Sequence, residues 1–320
     1  MRLPRVTLRP VRDWALFGRP IGEWVYLALL GVSGVNSLAG ALGGDVGRPL
    51  ETAIVVGQLV MGVAALGVAA SMLLARLLGL RLLWLWAVAT TVTVPLAART
   101  YGGAPTGDVA IAGFSAAVLC AFVVWYGRRR LHAAITRRVW PEVLAEHSAA
   151  ADEFARTIEG LTPAQWTART RAESWTAAEI TDHLARTYSQ FAGESRGKNS
   201  LRVRLRLPQL VLARAFVKPR LLQGAPFPKA RAPRALRPGA GPESPADGVA
   251  LFRASGAACV RDLGILVERR PHRRLVHPYL GALPLYEIVR FAAQHVRHHH
   301  RQLLTTIAAT RQGNSDVDTP

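Results

Sequence analysis

Four histidines lie within six residues near the end of the chain, in the stretch FAAQHVRHHHRQLL from Phe291 to Leu304. Imidazole nitrogens are common ligands of divalent transition metals. On a helix, at about 100° per residue, His295 and His299 share the inward face because they lie four positions apart. His298 falls on the flank of that helix, and His300 points toward solvent. The spacing therefore predicts one inward pair that can chelate an ion.

A third inward histidine occurs far upstream, in the stretch ESWTAAEITDHLARTYSQF. Thr176 and Glu179 have the spacing of a capping box, which predicts that a helix begins after Thr176. His183 then lies on the apolar stripe of this helix, although a single inward histidine is more often a hydrogen-bonded core residue than a ligand. Gln294 and Gln302 also offer partners to buried imidazoles without a metal. The residues alone leave two interpretations open, a three-histidine metal site and a polar core.

The elements that position these histidines follow from an uneven distribution of charge. Half of the 320 residues are apolar, yet the formal net charge is +19, a combination that is unusual in one globular domain. The chain is apolar and almost uncharged from Trp24 to Tyr126, and it is arginine-rich and amphipathic from Gly127 onward. This change predicts a membrane domain over residues 1–130 and a second domain over residues 139–312.

Four apolar runs in the first half are long enough to cross a bilayer. A helix of about 20 residues covers the ~30 Å hydrocarbon core. The predicted transmembrane helices are residues 24–43, 52–75, 82–98 and 108–126. Charged side chains that would mark a transport pathway are missing from the interiors of these runs, which favours an anchor over a transporter.

The flanking arginines predict the orientation, because short cytoplasmic segments carry an excess of Lys and Arg. Five arginines precede the first run, two lie in the second loop and three follow the fourth run, whereas each of the other two loops holds one. This pattern predicts an inner-membrane protein with both termini in the cytoplasm. Cys120 and Cys259 fall in different halves of the chain and imply no disulfide.

Helical patterns in the second half predict a four-helix bundle. The predicted helices run from about Trp140 to Leu161, with Pro141 in the first turn, from Thr176 to Phe191, from Asp247 to Val267, and through the histidine-rich stretch. Residues 196–245 form a long crossover, which has no acidic residue between Arg196 and Arg237. Its charge favours contact with membrane lipids over nucleic acid, because aromatic residues for base stacking are sparse.

The sequence around the histidines resembles a known family. The patterns SWTAAEITDHLA and HPYLGALPLYEIVRFAAQHVRHHHRQL, with GAPFPKARAPRALRP between them, are similar to the DinB-like superfamily of bacterial four-helix proteins. The resemblance covers about residues 159–310. It implies that His183, His295 and His299 bind one divalent metal ion, such as Zn, Ni or Fe. The transmembrane runs are a departure, since the familiar members are soluble.

The predicted fold is therefore all-α, with four transmembrane helices followed by a cytoplasmic DinB-like four-helix bundle. Better understood relatives are transferases and isomerases that use low-molecular-weight thiols. The resemblance thus implies a metal-dependent hydrolase or thiol transferase that acts on a small-molecule substrate. The alternative is a non-catalytic, membrane-tethered binding or sensing module. No catalytic residue beyond the metal ligands is assigned.

Overall fold

The computed structural model of the chain divides into two compact units, Met1–Ile135 and Thr136–Pro320. The structure describes residues 15–16, 19–44, 46–76, 78–171, 173–198, 201, 207–227 and 231–315. Several basic residues used in the sequence argument lie outside the described residues: Arg2, Arg5, Arg9, Arg12, Arg202, Arg204, Arg206 and Lys229. Both units are predominantly helical over their described parts.

The first unit contains a short hairpin followed by apolar helices. The hairpin strands are β1 (Ala15–Leu16) and β2 (Arg19–Pro20). The helices are α1 (Ile21–Leu42), α2 (Pro49–Leu73), α3 (Leu78–Thr100) and the first part of α4 (Thr106–Glu159). All four are long and apolar enough to cross a membrane, by length and composition. Helices α1, α2 and α3 match the first three predicted runs to within four residues at each end, whereas α4 extends well past the fourth.

Glycines bring α1 and α2 into close contact. A Cβ atom at Gly34 would lie 2.7 Å from Cγ of Leu66. A Cβ atom at Gly62 would lie 2.6 Å from Cγ of Leu38 and 2.9 Å from the carbonyl oxygen of Gly34, so alanine at Gly62 would collide with the backbone of α1. Close approach through small residues is typical of helices that pack together in membranes.

Helix α4 continues without interruption through the Arg128–Arg130 cluster to Glu159. The sequence predicted instead a span ending near Tyr126 and a new helix beginning near Trp140. The predicted helix start near Trp140 was wrong, because Pro141 lies in the interior of α4, where it removes one backbone donor. The intervening stretch LHAAITRRV contains no glycine or proline and several strong helix formers, so nothing in it ends the helix.

The second unit is a bundle of four helices. They are the C-terminal part of α4, α6 (Ala177–Ser195), α9 (Pro245–Arg269) and α10 (Leu285–Ser315). Phe154, Phe252 and Leu263 are almost fully buried between them. Trp166, on the short helix α5 (Pro163–Thr167), is also buried and donates its Nε1–H to the carbonyl of Pro242. The helical fold predicted for this half is confirmed.

Helix α6 begins where the sequence predicted. The hydroxyl of Thr176 accepts a hydrogen bond from the backbone amide of Glu179 at 3.2 Å, and the Glu179 carboxylate accepts one from the Thr176 amide at 2.8 Å. The second carboxylate oxygen of Glu179 pairs with Arg169 at 2.7 Å. Since both oxygens are engaged, Glu179 is a capping residue rather than a free base.

A two-stranded antiparallel hairpin before α10 departs from the all-α prediction. Its strands are β3 (Arg274–His277) and β4 (Gly281–Pro284). Nδ1 of His277 accepts hydrogen bonds from the backbone amides of Tyr279 at 3.2 Å and Leu280 at 3.1 Å. His277 therefore organises the turn of the HPYLG element.

The crossover between α6 and α9 contains short helical segments. They are α7 (Leu207–Leu212), a π-helical turn (Ala213–Val217), α8 (Lys218–Leu222) and a 3-10 turn (Arg234–Leu236). Leu221 and Leu236 are buried against the bundle. Gly241 has a φ of +82° and lies so close to α6 that a Cβ atom would fall 2.4 Å from the carbonyl oxygen of Ala178. The crossover is thus packed onto the helices that carry the histidines.

Candidate metal centre

The three histidines predicted as metal ligands converge inside the bundle. His183 projects from α6, and His295 and His299 project from α10 one turn apart. Nε2 of His295 lies 3.3 Å from Nε2 of His183 and 3.0 Å from Nε2 of His299. The three residues each offer a ligand atom within 4.8 Å of the other two. Two helices that are distant in sequence therefore bring three imidazole nitrogens together.

Hydrogen bonds on the far side of two of these rings define their tautomers. Nδ1 of His183 lies 2.6 Å from the carbonyl oxygen of Leu236 in the 3-10 turn. Because a carbonyl only accepts, Nδ1 carries the proton and Nε2 of the neutral ring presents its lone pair. Nδ1 of His299 likewise donates to Oε1 of Gln302 at 2.7 Å. Such partners are typical of metal-binding histidines, since they orient the ring and raise its basicity.

Burial keeps the three imidazoles neutral. Desolvation lowers the pKa of His183 below its ordinary value. The pKa values of His295 and His299 fall further, first through burial and then through the neighbouring imidazoles. At neutral pH all three rings are therefore unprotonated, which is the form that binds a metal.

A bound cation would satisfy the three buried imidazole nitrogens better than hydrogen bonds between them could. An Nε2–H on His295 can donate to only one of its two neighbours, which leaves the other buried lone pair without a donor. A divalent ion would bind all three lone pairs at once. With metal–nitrogen distances of about 2.0–2.1 Å and angles of roughly 90–110°, ligand nitrogens are about 2.8–3.4 Å apart. The observed separations of 3.0 and 3.3 Å agree with this range, and three neutral nitrogens suit Zn, Ni or Fe.

The histidines form one wall of a cavity of about 1430 Å³. Aromatic rings cover the wall beside them. Trp175 stacks on His299 with ring centroids 5.8 Å apart, and Phe227 packs against His295 at 5.6 Å. Because small-molecule sites usually measure roughly 300–1,000 Å³, this cavity has room for more than one small reactant beside the histidines.

Positive charge predominates among the charged side chains of the cavity wall. The charged wall residues are Arg169, Arg171, Arg231, Arg237, Glu173 and Glu179. Glu179 is paired with Arg169, so the remaining charge is positive. This field attracts anionic molecules to the cavity.

The other two histidines of the run lie outside the trio. His298 packs on Phe227 at the cavity wall, and its Nε2 accepts a hydrogen bond from the Gln302 amide at 3.1 Å. His300 does not point toward solvent, and that prediction was wrong. It is buried, with Nε2 2.8 Å from the hydroxyl of Thr157 on α4. The helical angle was correct, but α4 covers the face that was expected to be exposed.

Gln294 links two helices rather than serving the histidines. Its amide donates to Oε1 of Glu146 on α4 at 2.7 Å, and Arg297 binds the same oxygen at 2.7 Å. These bonds connect α10 to α4. Of the two glutamines proposed as alternative partners, Gln302 alone contacts a histidine of the trio among the described contacts.

Sequence reasoning missed three contributors to this site. The carbonyl of Leu236 has no sequence signal, because any residue supplies the same group. Trp175 and Phe227 lie within the family-like patterns SWTAAEITDHLA and GAPFPKARAPRALRP, which offered the available signal. Their place beside the imidazoles depends on how the crossover and the α6 N-terminus fold over α10.

Comparison with known proteins agrees with this architecture. A family model described as the DinB superfamily matches residues 146–303, a range that contains all three histidines. Searches of curated proteins and of solved structures gave no significant match. Metal binding is general in this superfamily, as the donor set here would require. Residues 146–303 thus match the DinB superfamily, and they follow an extension of long apolar helices.

Proposed function

We propose that this protein is a membrane-anchored, metal-dependent enzyme that transfers a low-molecular-weight thiol to a second small molecule. The observation that carries the proposal is that the three histidines line a cavity of about 1430 Å³. Purely structural metal sites are usually closed by four protein ligands. Here the described residues supply a group of three, next to open space. The four apolar helices supply the anchor.

The residues around the site have two roles: some hold the histidine rings in place, and others limit the access of water. A divalent ion bound by three neutral nitrogens retains its double positive charge, which favours the deprotonated form of a thiol or of water. Leu236 and Gln302 hold the rings of His183 and His299 in the required tautomer. Trp175 limits access of water to this wall, which strengthens electrostatic interactions there.

Thiol transfer does not require a free carboxylate base in this cavity. On the described wall, the carboxylate of Glu179 is engaged by Thr176 and Arg169, and Glu173 is exposed. A deprotonated thiol is already the nucleophile, so no side chain has to remove a proton during the attack. The sulfur bonds to an electrophilic carbon, the leaving group departs with its electron pair, and the thiol proton passes to solvent.

Turnover assays test this proposal against hydrolysis and against simple binding. Full-length protein in nanodiscs, loaded in turn with Zn, Ni and Fe, is incubated with small thiols and small electrophiles, and products are identified by mass spectrometry. Thioether formation that is lost in His295→Ala and retained in His300→Gln supports the proposal. Hydrolysis without a thiol indicates a hydrolase. Metal retention without turnover indicates a binding or sensing module.

We also propose that both termini lie in the cytoplasm, because the arginine-rich flanks alternate with arginine-poor loops. Reporter fusions at Gly44, Leu78, Gly103 and the C-terminus measure this directly. The fusions at Gly44 and Gly103 are expected to be external and the other two internal. An external C-terminus would contradict the orientation.

A further inference from the structure

Residues 207–222 form a helix composed of α7, the π-helical turn and α8, which we call the crossover helix. Its outward side is apolar. Val211 and Leu212 are each 56% exposed, and Phe216 is 61% exposed. Over residues 208–222, the other exposed residues are Pro208, Gln209, Ala215, Pro219 and Arg220. Three large apolar side chains within two turns therefore face away from the bundle.

Two basic residues of the crossover helix face the bundle instead. Arg214 donates to the carbonyl oxygen of Ala282 on β4 at 2.8 Å. Nζ of Lys218 binds both carboxylate oxygens of Glu287 on α10, at 2.9 and 3.1 Å. The helix is thus docked through cations and presents apolar side chains outward, the reverse of the arrangement expected at a water-facing surface.

The apolar side chains on the outward side of the crossover helix are more exposed than those on the rest of the bundle surface. Over the described part of residues 136–320, the remaining exposed large apolar side chains are Leu251, Ile265 and Leu304, at 40–47%. Those three are spread over α9 and α10 and are less exposed. The crossover helix instead reaches the level of the apolar helices, where Phe122 is 60% exposed. A clustered apolar surface of this kind is typical of a surface that contacts a partner or a membrane.

We propose that the crossover helix lies in the membrane interface, with Val211, Leu212 and Phe216 inserted among the lipids. The inference rests on the membrane anchoring proposed above, because four membrane-spanning helices would keep the second unit tethered to a bilayer. Interfacial helices bury their apolar side about 5–10 Å into the boundary between headgroups and acyl chains. Lipid is therefore the occupant that the proposed anchoring favours.

Arginines in and next to the crossover helix in the sequence favour the same occupant. Arg202, Arg204 and Arg206 precede the helix in sequence, and Arg220 is exposed near its end. Anionic headgroups attract such side chains when they lie near the surface. The expected surface is thus an anionic bilayer, with insertion supplied by the apolar residues and attraction by the arginines.

The inward side of the same helix lines the cavity at Ala213, Val217 and Leu221. Membrane contact and the candidate metal site therefore share one structural element. A movement of the crossover helix at the bilayer would change the cavity wall directly, whereas the bundle helices would not need to move.

Spin labels on full-length protein in nanodiscs of anionic lipid test the proposal. Both native cysteines are buried, and the background is Cys120→Ala with Cys259→Ala. Labels are placed at Leu212→Cys and Phe216→Cys, with Ala254→Cys on an exposed position of α9 as the matched control. Oxygen, which concentrates in lipid, and a water-soluble nickel chelate report accessibility. Labels at 212 and 216 should show several-fold more oxygen contact and several-fold less nickel contact than the control.

Other results would overturn the proposal. Equal nickel contact at all three positions would show that the helix faces water. Loss of both oxygen and nickel contact, with dipolar broadening that grows with the number of copies per disc, would show that a second copy covers the face. Carbonate extraction of membranes tests the anchor separately. Release by carbonate contradicts the spans, whereas retained protein with water-exposed labels contradicts the interfacial helix alone.

Discussion

Replacing His295 by alanine should remove most of the stability that the protein gains from metal. His295 is the central member of the trio, with its Nε2 3.0 and 3.3 Å from the other two nitrogens. Four-ligand structural zinc sites contribute about 10–16 kcal/mol, so one ligand corresponds to about 2.5–4 kcal/mol. This free energy equals a rise in Kd of roughly 10²- to 10³-fold.

The effect on thermal stability follows from this change in affinity. At free metal about 100 times the parent Kd, binding stabilises the parent by about 2.7 kcal/mol. A variant with a Kd about 100-fold higher gains only about 0.4 kcal/mol at the same concentration. For a domain of this size, the metal-induced rise in Tm should fall from about 5–11 °C to below about 2 °C.

Metal content after dialysis and Tm with and without metal measure both quantities on the full-length protein. His183→Ala and His299→Ala should behave like His295→Ala. His300→Ala is the matched control, because it loses the bond to Thr157 and lowers Tm but should retain the metal and its stabilisation. Equal metal loss in all four variants would indicate a loose polyhistidine patch, and no metal in the parent would leave a polar bundle core.

Two further predictions concern residues next to the trio. Gln302→Leu removes the acceptor of His299 Nδ1–H and should weaken metal affinity about 10- to 100-fold by calorimetry. Gln302→Glu should keep the affinity, and so should Gln294→Leu, which breaks a contact with Glu146. Unchanged affinity in Gln302→Leu would contradict the tautomer assignment. Burial lowers the pKa of His277 from 6.5 to about 4. The unfolded chain therefore binds the proton first as pH falls, and stability that is complete above pH 6.5 is lost between pH 6.5 and 4. The loss is about 3 kcal/mol, from a pKa difference of about 2.5. His277→Asn keeps an acceptor for the turn amides but has no titrating group at this position. Between pH 6.5 and 4, its free energy of unfolding should therefore fall by about 3 kcal/mol less than that of the parent. Denaturant titrations at the two pH values measure this difference. Identical losses in the two proteins would refute the assignment.

Features that depend on near neighbours in the chain could be predicted from the sequence. The cap at Thr176 requires only Glu179 three residues later, and the observed hydrogen bonds have that form. The shared face of His295 and His299 follows from a spacing of four on a helix. The apolar helices are recognisable because length and composition alone decide whether a segment can cross a bilayer.

Features that depend on packing between distant segments were decided by the tertiary structure. The period of a helix specifies which residues share a face, but it does not specify which neighbour covers that face. The angle of His300 was predictable, whereas its burial required Thr157 on α4. The tautomer of His183 required the carbonyl of Leu236, which lies 53 residues away. The outward direction of Phe216 likewise depends on Arg214 and Lys218, which bind Ala282 and Glu287. Those contacts determine which side of the crossover helix packs against the bundle.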